Sequence, residues 1–480
     1  MIRTRTRCRV VGLSVLGLIV AALVHTWLLM GLFVPLTIEG PSMAETLYGR
    51  HRRMDCRDCG FRFAWQAARG GARSRITCPN CGCEQTPRDA ESEIPGDHVL
   101  VARSMPALRA PKRWEPVVVR RPGRESELVV KRLVGLPGET VELRHGDLYI
   151  DGRLERKTLR QQRATAVLVH DAHWMPSSLP EEERPWQEAH GRRRWTWREG
   201  CFIHSKVERL APPAAAAPLA GLANPAKGEE TVDWLIFGPR RRNAGSADVS
   251  PVPVTNLLGY NQACHQRSET VHAVYDVMLS IELDQCRGAG CLYLAATDGR
   301  EEFCVRIDPN RRQAEVFRDA APALPPIAID DLRDGSPGAR IELSLFDRQF
   351  LLAINHRTRV EIPLSEGGCP APVYHPLALG SDNLDLRIGA ARVYRDIHYA
   401  PSCGPGVQAS GAWRLAGDEY FLLGDNSDFS DDSRLWHPNR PVTSRSLVGE
   451  PIAVHWPSHP VGWGALQFQV PDLRRIRYIR

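Results

Sequence analysis

Lysine is scarce in this chain. Of 62 basic residues only five are lysines: Lys112, Lys131, Lys157, Lys206 and Lys227. Where arginine is used almost everywhere, a lysine inside an apolar stretch requires a chemical reason. An excess of charge of one sign is also lacking. A formal +6 over 480 residues is too mild to suggest a nucleic-acid partner, which calls for a concentrated basic stripe. Only one long hydrophobic run occurs, near the start, and this excludes a polytopic transporter. With 43% hydrophobic and 25% charged residues, a mainly disordered chain is excluded too. The length suggests two to four domains.

What is present begins with Arg3, Arg5, Arg7 and Arg9, then an apolar run from Val10 to Phe33 interrupted only by Ser14, His25 and Thr26. About 20 residues at a 1.5 Å rise span a ~30 Å hydrocarbon core, so the run is long enough to cross. A secretory signal peptide is the rival reading, with an apolar region of ~7–15 residues. It fits less well, because this run is longer and lacks a small-residue cleavage site at its end. Arginines before the run keep the N-terminus cytoplasmic. We therefore expect a cytoplasmic segment at 1–9, an anchor at 10–34 and everything later across the membrane. His25, a lone neutral residue in the second half of the run, is read as incidental.

The thirteen cysteines are unevenly placed. Cys56-Arg57-Asp58-Cys59 and Cys78-Pro79-Asn80-Cys81 form two C-x-x-C knuckles with zinc-ribbon spacing. Two short knuckles can set four thiolates at the corners of a tetrahedron about 2.3 Å from one zinc ion. Gly60 and Gly82 follow each knuckle, where a tight turn favours positive φ. The other reading is a pair of disulfides, which an extracytoplasmic location would permit. With four cysteine ligands a ribbon has no open position and is structural. His51 and Cys83 are read as bystanders. Cys286 and Cys291 bracket Arg287–Gly290 and could bridge a hairpin, although nothing demands it.

Four segments carry the candidate chemistry. Ser42 lies in Ile38-Glu39-Gly40-Pro41-Ser42-Met43-Ala44-Glu45-Thr46-Leu47, just past the apolar run. Gly96-Asp97-His98-Val99-Leu100-Val101 reads as a strand after a turn. Leu128-Val129-Val130-Lys131-Arg132-Leu133-Val134 reads as a buried strand ending in a Pro137-Gly138 turn. Desolvation among these valines and leucines would disfavour the charged form of Lys131 and lower its pKa. A neutral amine is a competent general base toward a serine hydroxyl. Alone, this segment reads equally as an edge strand with a snorkelling lysine. The fourth segment, Gly424-Asp425-Asn426-Ser427-Asp428-Phe429-Ser430-Asp431-Asp432-Ser433-Arg434, follows the apolar run Tyr420–Leu423. By composition it is a solvated polar turn.

In this order after an apolar anchor, the four segments resemble the boxes of bacterial type I signal peptidase, the Ser/Lys leader peptidase family. The resemblance covers roughly a third of the chain. It implies Ser42 as nucleophile, Lys131 as general base, and Ser430 as the hydroxyl that orients the lysine amine. It also implies an Asp432–Arg434 ion pair with Arg132 nearby, and a structural role for Gly424-Asp425-Asn426. No cofactor is implied for catalysis. Two positions depart from the family pattern. Many relatives carry a hydroxyl side chain where this chain has Gly40, so the second oxyanion donor is open between a backbone group and water. Glu45 stands where the family usually has Pro.

Between the last two boxes lie about 250 residues without a second apolar run. Ala211–Pro218 marks a linker or exposed loop. Short strand-like runs recur from Val274 to Leu283, Cys291 to Ala296, Phe303 to Ile307, Ile341 to Phe346, Phe350 to Ile354 and Leu384 to Ile388. This spacing indicates a β-sandwich, somewhat like laminin-G or concanavalin-type jelly rolls. It is either a spacer or a domain with a carbohydrate or protein ligand.

The expected fold is thus mainly β: a signal-peptidase-type catalytic core from 35–50, 92–160 and 411–470, with one N-terminal transmembrane helix. A zinc ribbon at 51–91 and a β-rich insertion at 161–410, jelly-roll-like from about 230, interrupt it. The basic tail at 471–480, with Arg474, Arg475 and Arg477, is read as solvated. The expected function is a membrane-bound serine endopeptidase acting on signal-peptide-bearing preproteins, with membrane lipids as neighbours and no nucleic acid. Its expected location is the bacterial inner membrane, single-pass, with the catalytic domain on the extracytoplasmic side. A membrane-tethered binding or adhesion protein on a degenerate protease scaffold is the alternative. A self-cleaving Ser/Lys repressor would need a DNA-binding domain where this chain has its apolar run.

Overall fold

The computed structural model describes residues 14–24, 32–66, 75–87, 93–103, 109–176, 179–189, 193–205, 232–242, 249–262, 271–330, 332, 338–368, 370–400, 411–455, 458–463, 466–471 and 476–479. The architecture is mainly β. One eight-stranded sheet is assembled from two distant parts of the chain. Phe33–Thr37 forms one edge, followed by His98–Ala102, Leu447–Val454, Pro116–Arg121, Arg124–Gly135, Glu419–Leu423 and Val442–Thr443, with Arg477–Tyr478 beside Leu447–Val454. Alternating apolar residues explain why these runs become strands. Val99 and Val101 pack with Val118, Val130 and Val454, and the same cluster takes in Met43 and Leu47 from the segment around Ser42.

In this sheet Lys131 lies opposite Val117, and Arg132 lies between Pro116 and Leu423. Successive strand residues point to opposite faces, so the two cations have different surroundings although they are adjacent in sequence. A second, four-stranded sheet joins Thr140–Arg144, Asp147–Ile150 and Arg153–Leu154 to Trp413–Arg414 from the far end of the chain.

The insertion builds a fourteen-stranded sheet system around two long antiparallel strands, Val277–Thr297 and Leu377–Arg395. Leu279, Ile281, Leu294, Phe303, Phe350 and Leu352 are among its fully buried residues, and the Phe303 and Phe350 rings stack at 4.4 Å. Each such side chain contributes about 1.5–3 kcal/mol when fully buried. The strands expected at Val274–Leu283 and Cys291–Ala296 prove to be one. The polar, glycine-containing stretch between them does not turn, because Leu377–Arg395 runs alongside it and register shifts between Gly288 and Cys291 absorb the mismatch. Cys286 and Cys291 therefore lie on a single strand, with no hairpin between them to bridge.

Much of the expected anchor, and all of the Ala211–Pro218 linker, lies outside the described residues. Residues 14–24 are helical, with Leu16, Leu18 and Leu23 exposed. Among the described residues no helix is long and apolar enough to cross a membrane. At the other end, Arg477 is not a solvated tail residue. It donates to the Thr46 carbonyl at 2.6 Å and to Asp97 at 3.2 Å, which gives that buried carboxylate a cation.

Candidate active site

Ser42 sits in the loop after Phe33–Thr37, held in place by its neighbours' apolar side chains and by one glycine. A Cβ at Gly424 would lie 2.3 Å from the Ser430 hydroxyl and 2.4 Å from the Ser42 carbonyl oxygen. Only glycine fits between them, so Ser42 and Ser430 meet at this point from opposite ends of the chain. The Asn426 N–H donates to the Ser42 carbonyl at 3.0 Å, and its side-chain Nδ2 donates to the Pro41 carbonyl at 3.0 Å. The Ser42 hydroxyl and N–H form no hydrogen bond with other described residues, and the residue is partly exposed.

Lys131 is only 2% exposed, and its amine donates to the Ser430 hydroxyl at 3.0 Å. Burial pushes the Asp432 carboxyl up, but the Arg434 charge and its hydrogen bonds outweigh it, with Ser430 adding to them, and hold the carboxyl below its usual range. The expected Asp432–Arg434 pair is present and bidentate, at 2.9 and 2.8 Å, and both side chains are fully buried. Asp432 also caps the short Ser433–Trp436 helix and accepts from the Gly424 N–H at 3.1 Å.

Arg132 lies near this group, but its partner is Asp425, at 2.7 and 2.6 Å. Thr46, four residues after Ser42, donates to the same carboxylate at 2.5 Å. Burial opposes the Arg132 charge, and Asp425 more than restores it. The family resemblance implies only a turn-shaping role for Asp425. An acid directly after the strand that pairs with Arg132 was the available signal for this ion pair. Glu45, where the resemblance leads one to expect Pro, follows a cis peptide bond. It lines a cavity of about 500 Å³ together with Arg395, Pro79, Val169, Val254 and Leu258. Burial pushes the Glu45 carboxyl up, with Arg395 pulling in the opposite direction.

Cys56, Cys59, Cys78 and Cys81 converge, with their sulfurs all within 4.8 Å of one another. Cys56 lies 3.6 Å from Cys81, and Cys59 lies 3.7 Å from Cys78, so each pair takes one sulfur from each knuckle. A disulfide has sulfurs about 2.05 Å apart, whereas a tetrahedron of 2.3 Å metal–sulfur bonds has edges of about 3.8 Å. The donor set fits zinc in number, chemistry and spacing. Gly82 has a second reason to be glycine: at φ 73° it passes so close to the insertion that a Cβ would lie 2.0 Å from the Arg240 carbonyl.

A second buried lysine has different company. Lys157 donates to Asp347 at 2.7 Å and to Asp396 at 2.6 Å, and lies 4.2 Å from the centre of the Trp114 ring. Burial opposes its charge, but the two carboxylates raise its pKa. Carboxylate oxygens of Asp147, Asp276 and Asp347 lie within 4.8 Å of one another here. Burial, reinforced by Asp347, pushes Asp147 up to about 7. Burial also raises Asp347 to about 6, although Lys157 opposes it. An acid with a raised folded-state pKa binds its proton more tightly folded than unfolded, so its contribution to stability falls as pH rises from about 4 to about 7. Asp147→Asn mimics the protonated form. Urea midpoints of variant and wild type should coincide near pH 4, with the variant increasingly the more stable toward pH 7. A difference that does not change with pH would contradict this.

Residues 87–189 match the family model of signal peptidase, peptidase S26. A stretch of 57 residues is 42% identical to signal peptidase I of Pseudomonas fluorescens, covering 10% of this chain and 20% of that protein. The chain thus spans about a fifth of the length of this curated relative. Among solved structures, the Bacillus subtilis carbohydrate-binding module CBM66 is similar at TM-score 0.22 and 9% identity, over 44% of this chain and 92% of that one. The VIP36 exoplasmic/lumenal domain, in its Ca2+/Man3GlcNAc-bound form, is similar at TM-score 0.26 and 7% identity, over 52% and 95%.

Proposed function

We propose that this protein is a membrane-bound serine endopeptidase that removes N-terminal signal peptides from exported preproteins. The observation that carries this reading is the buried Lys131–Ser430 hydrogen bond beside the Ser42 backbone. A degenerate scaffold would have no reason to keep a desolvated amine there. In the proposed reaction the neutral Lys131 amine takes the Ser42 proton as Oγ attacks the scissile carbonyl carbon. Ser430 occupies an N–H of the amine, which leaves the nitrogen lone pair for Ser42. The resulting alkoxide is stabilised by the Ser42 N–H. As the carbonyl re-forms, the C–N bond breaks and the lysine proton passes to the leaving amine, giving an ester on Ser42. Lys131 then takes a proton from water as its oxygen attacks the ester carbonyl; as the acyl C–Oγ bond breaks, that proton passes from Lys131 to the Ser42 oxygen, freeing the signal peptide's new carboxyl group and restoring the hydroxyl and the neutral amine.

The substrate would lie extended along an edge strand. Small residues at the first and third positions before the cut are what the family resemblance implies. A nucleophile a few residues after a membrane anchor suits cleavage at the outer surface of the bacterial inner membrane, among lipids. We assign the four cysteines a structural zinc ion, which would cross-link the two knuckles and leave no position for substrate. The insertion braces the catalytic core through Lys157 and its carboxylates.

Cleavage of a preprotein by the purified full chain tests the reading, with Ser42→Ala as control. Cleavage that survives this substitution would overturn it. Metal analysis should find one zinc per chain. Four oxidised cysteines without metal would sink the zinc assignment. The oxyanion site offers a further prediction. A Cβ at Gly40 meets nothing within 4 Å, so Gly40→Ser is sterically free and adds a hydroxyl where many relatives have one. One well-placed donor is worth about 10²–10³ in kcat, and partial alignment should still raise kcat by roughly tenfold. An unchanged kcat would mean that the second donor is already supplied.

A further inference from the structure

The loop carrying Ser42 is held by Asn426 of the fourth box, which is itself held by a residue from outside the four boxes. Asn426 binds the loop twice, through its N–H to the Ser42 carbonyl and through Nδ2 to the Pro41 carbonyl. The rest of its carboxamide is taken by Asn261. Asn426 Nδ2 donates to Asn261 Oδ1 at 2.8 Å, and Asn261 Nδ2 donates to Asn426 Oδ1 at 2.7 Å. Both residues are buried, at 1% and 7% exposed. A carboxamide committed on both its oxygen and its nitrogen cannot flip without breaking the reciprocal pair and the bond to Pro41 together. Asn261 thereby fixes which way Asn426 presents its N–H groups.

Asn261 lies 165 residues from Asn426, in the Gly259–Asn261 turn of the insertion, and its neighbours tie that turn to the ribbon. Gln262 clasps Thr77, taking its N–H at 2.5 Å and donating to its carbonyl at 2.8 Å. Thr77 directly precedes the ligand Cys78. Tyr260 accepts from the Gln66 N–H at 2.8 Å and donates from its hydroxyl to the Arg50 carbonyl at 3.1 Å. Three consecutive residues therefore join the ribbon, the chain entering it and the nucleophile loop.

We infer that Asn261 is a positioning residue for the Ser42 loop, supplied by the insertion and acting through Asn426. The inference rests on Ser42 being the nucleophile. Displacement of a reacting group by about 1 Å can cost about 100-fold in rate, and loss of one buried amide partner should displace the loop by less. In the full chain, Asn261→Ala is expected to lower kcat about tenfold with KM within about twofold. It should slow acylation of Ser42 by a small active-serine-directed ester by the same factor. Because Asn261 acts through Asn426, the Asn261→Ala/Asn426→Ala double variant should be no slower than Asn426→Ala alone. Melting temperature and bound zinc identify folded variants. If Asn261→Ala is not folded, Asn261→Asp replaces it, keeping one acceptor and losing the donor, with a smaller fall in kcat expected. A wild-type kcat in the folded variant, or independent multiplication of the two effects, would overturn the inference. Cleavage by Ser42→Ala would instead overturn the peptidase reading, so the two failures are distinguishable.

Discussion

Ser42→Ala and Lys131→Ala should each lower preprotein cleavage by at least about 10⁴-fold, and the double variant should be no worse than either single one. Groups that act as one unit lose their contribution together when either is removed, so the losses do not multiply. Ser430→Ala is expected to be milder, about 10–100-fold, because the amine remains and only its orientation is lost. The acid side of the pH profile gives an independent check. The amine must be neutral to accept the Ser42 proton, so cleavage should fall as pH is lowered and Lys131 becomes protonated. A flat acid limb, or a Lys131→Ala variant with substantial activity, would remove the general-base assignment while leaving Ser42 in place.

Legibility in the sequence followed how local each signal is. The four boxes are each a short run whose strand or turn forms within itself, and the fold brings Lys131 from one of them to Ser430 of another. Lysine scarcity directs attention to only one of the two buried lysines. It singled out Lys131 in its apolar strand, yet Lys157 is equally buried. No apolar run surrounds Lys157 in sequence. Its burial comes from Asp347 and Asp396, 190 and 239 residues away, and no local pattern predicts that. Arg132 illustrates the same limit over a still longer separation, 293 residues. Asp425 and Asp432 are both plausible partners in sequence, and the choice depends on which one follows directly from the paired strand Glu419–Leu423. Asn261 carries no signal at all, since a single asparagine in a turn is unremarkable until its partner is known. In the insertion, the expected break between two strands failed because the partner strand, not the local sequence, decided whether the chain turned.

The Arg132–Asp425 pair should make the second large difference, in stability rather than chemistry. Both side chains are out of water, at 0% and 2% exposed, so the desolvation penalty of each ion is offset only by the other and by their hydrogen bonds. Arg132 also donates to the Trp114 carbonyl at 2.7 Å and to the Ala164 carbonyl at 3.2 Å. Those dipoles would stay in place if Asp425 were removed, but the countercharge would be lost. Asp425→Ala should therefore cost about 3–5 kcal/mol, the usual penalty for stranding one buried charge. Asp425→Asn keeps the shape and the Thr46 contact and should cost less. Replacing both partners together, as Arg132→Leu with Asp425→Leu, should recover much of the loss, because no ion is then left unpaired. Urea unfolding of the three variants and wild type measures this directly. Activity should not recover with stability in the double variant. Asp425 anchors Thr46 in the nucleophile loop and precedes the Asn426 that holds Ser42, so the two readouts separate a pair that only stabilises the core from one that also sets the position of the serine.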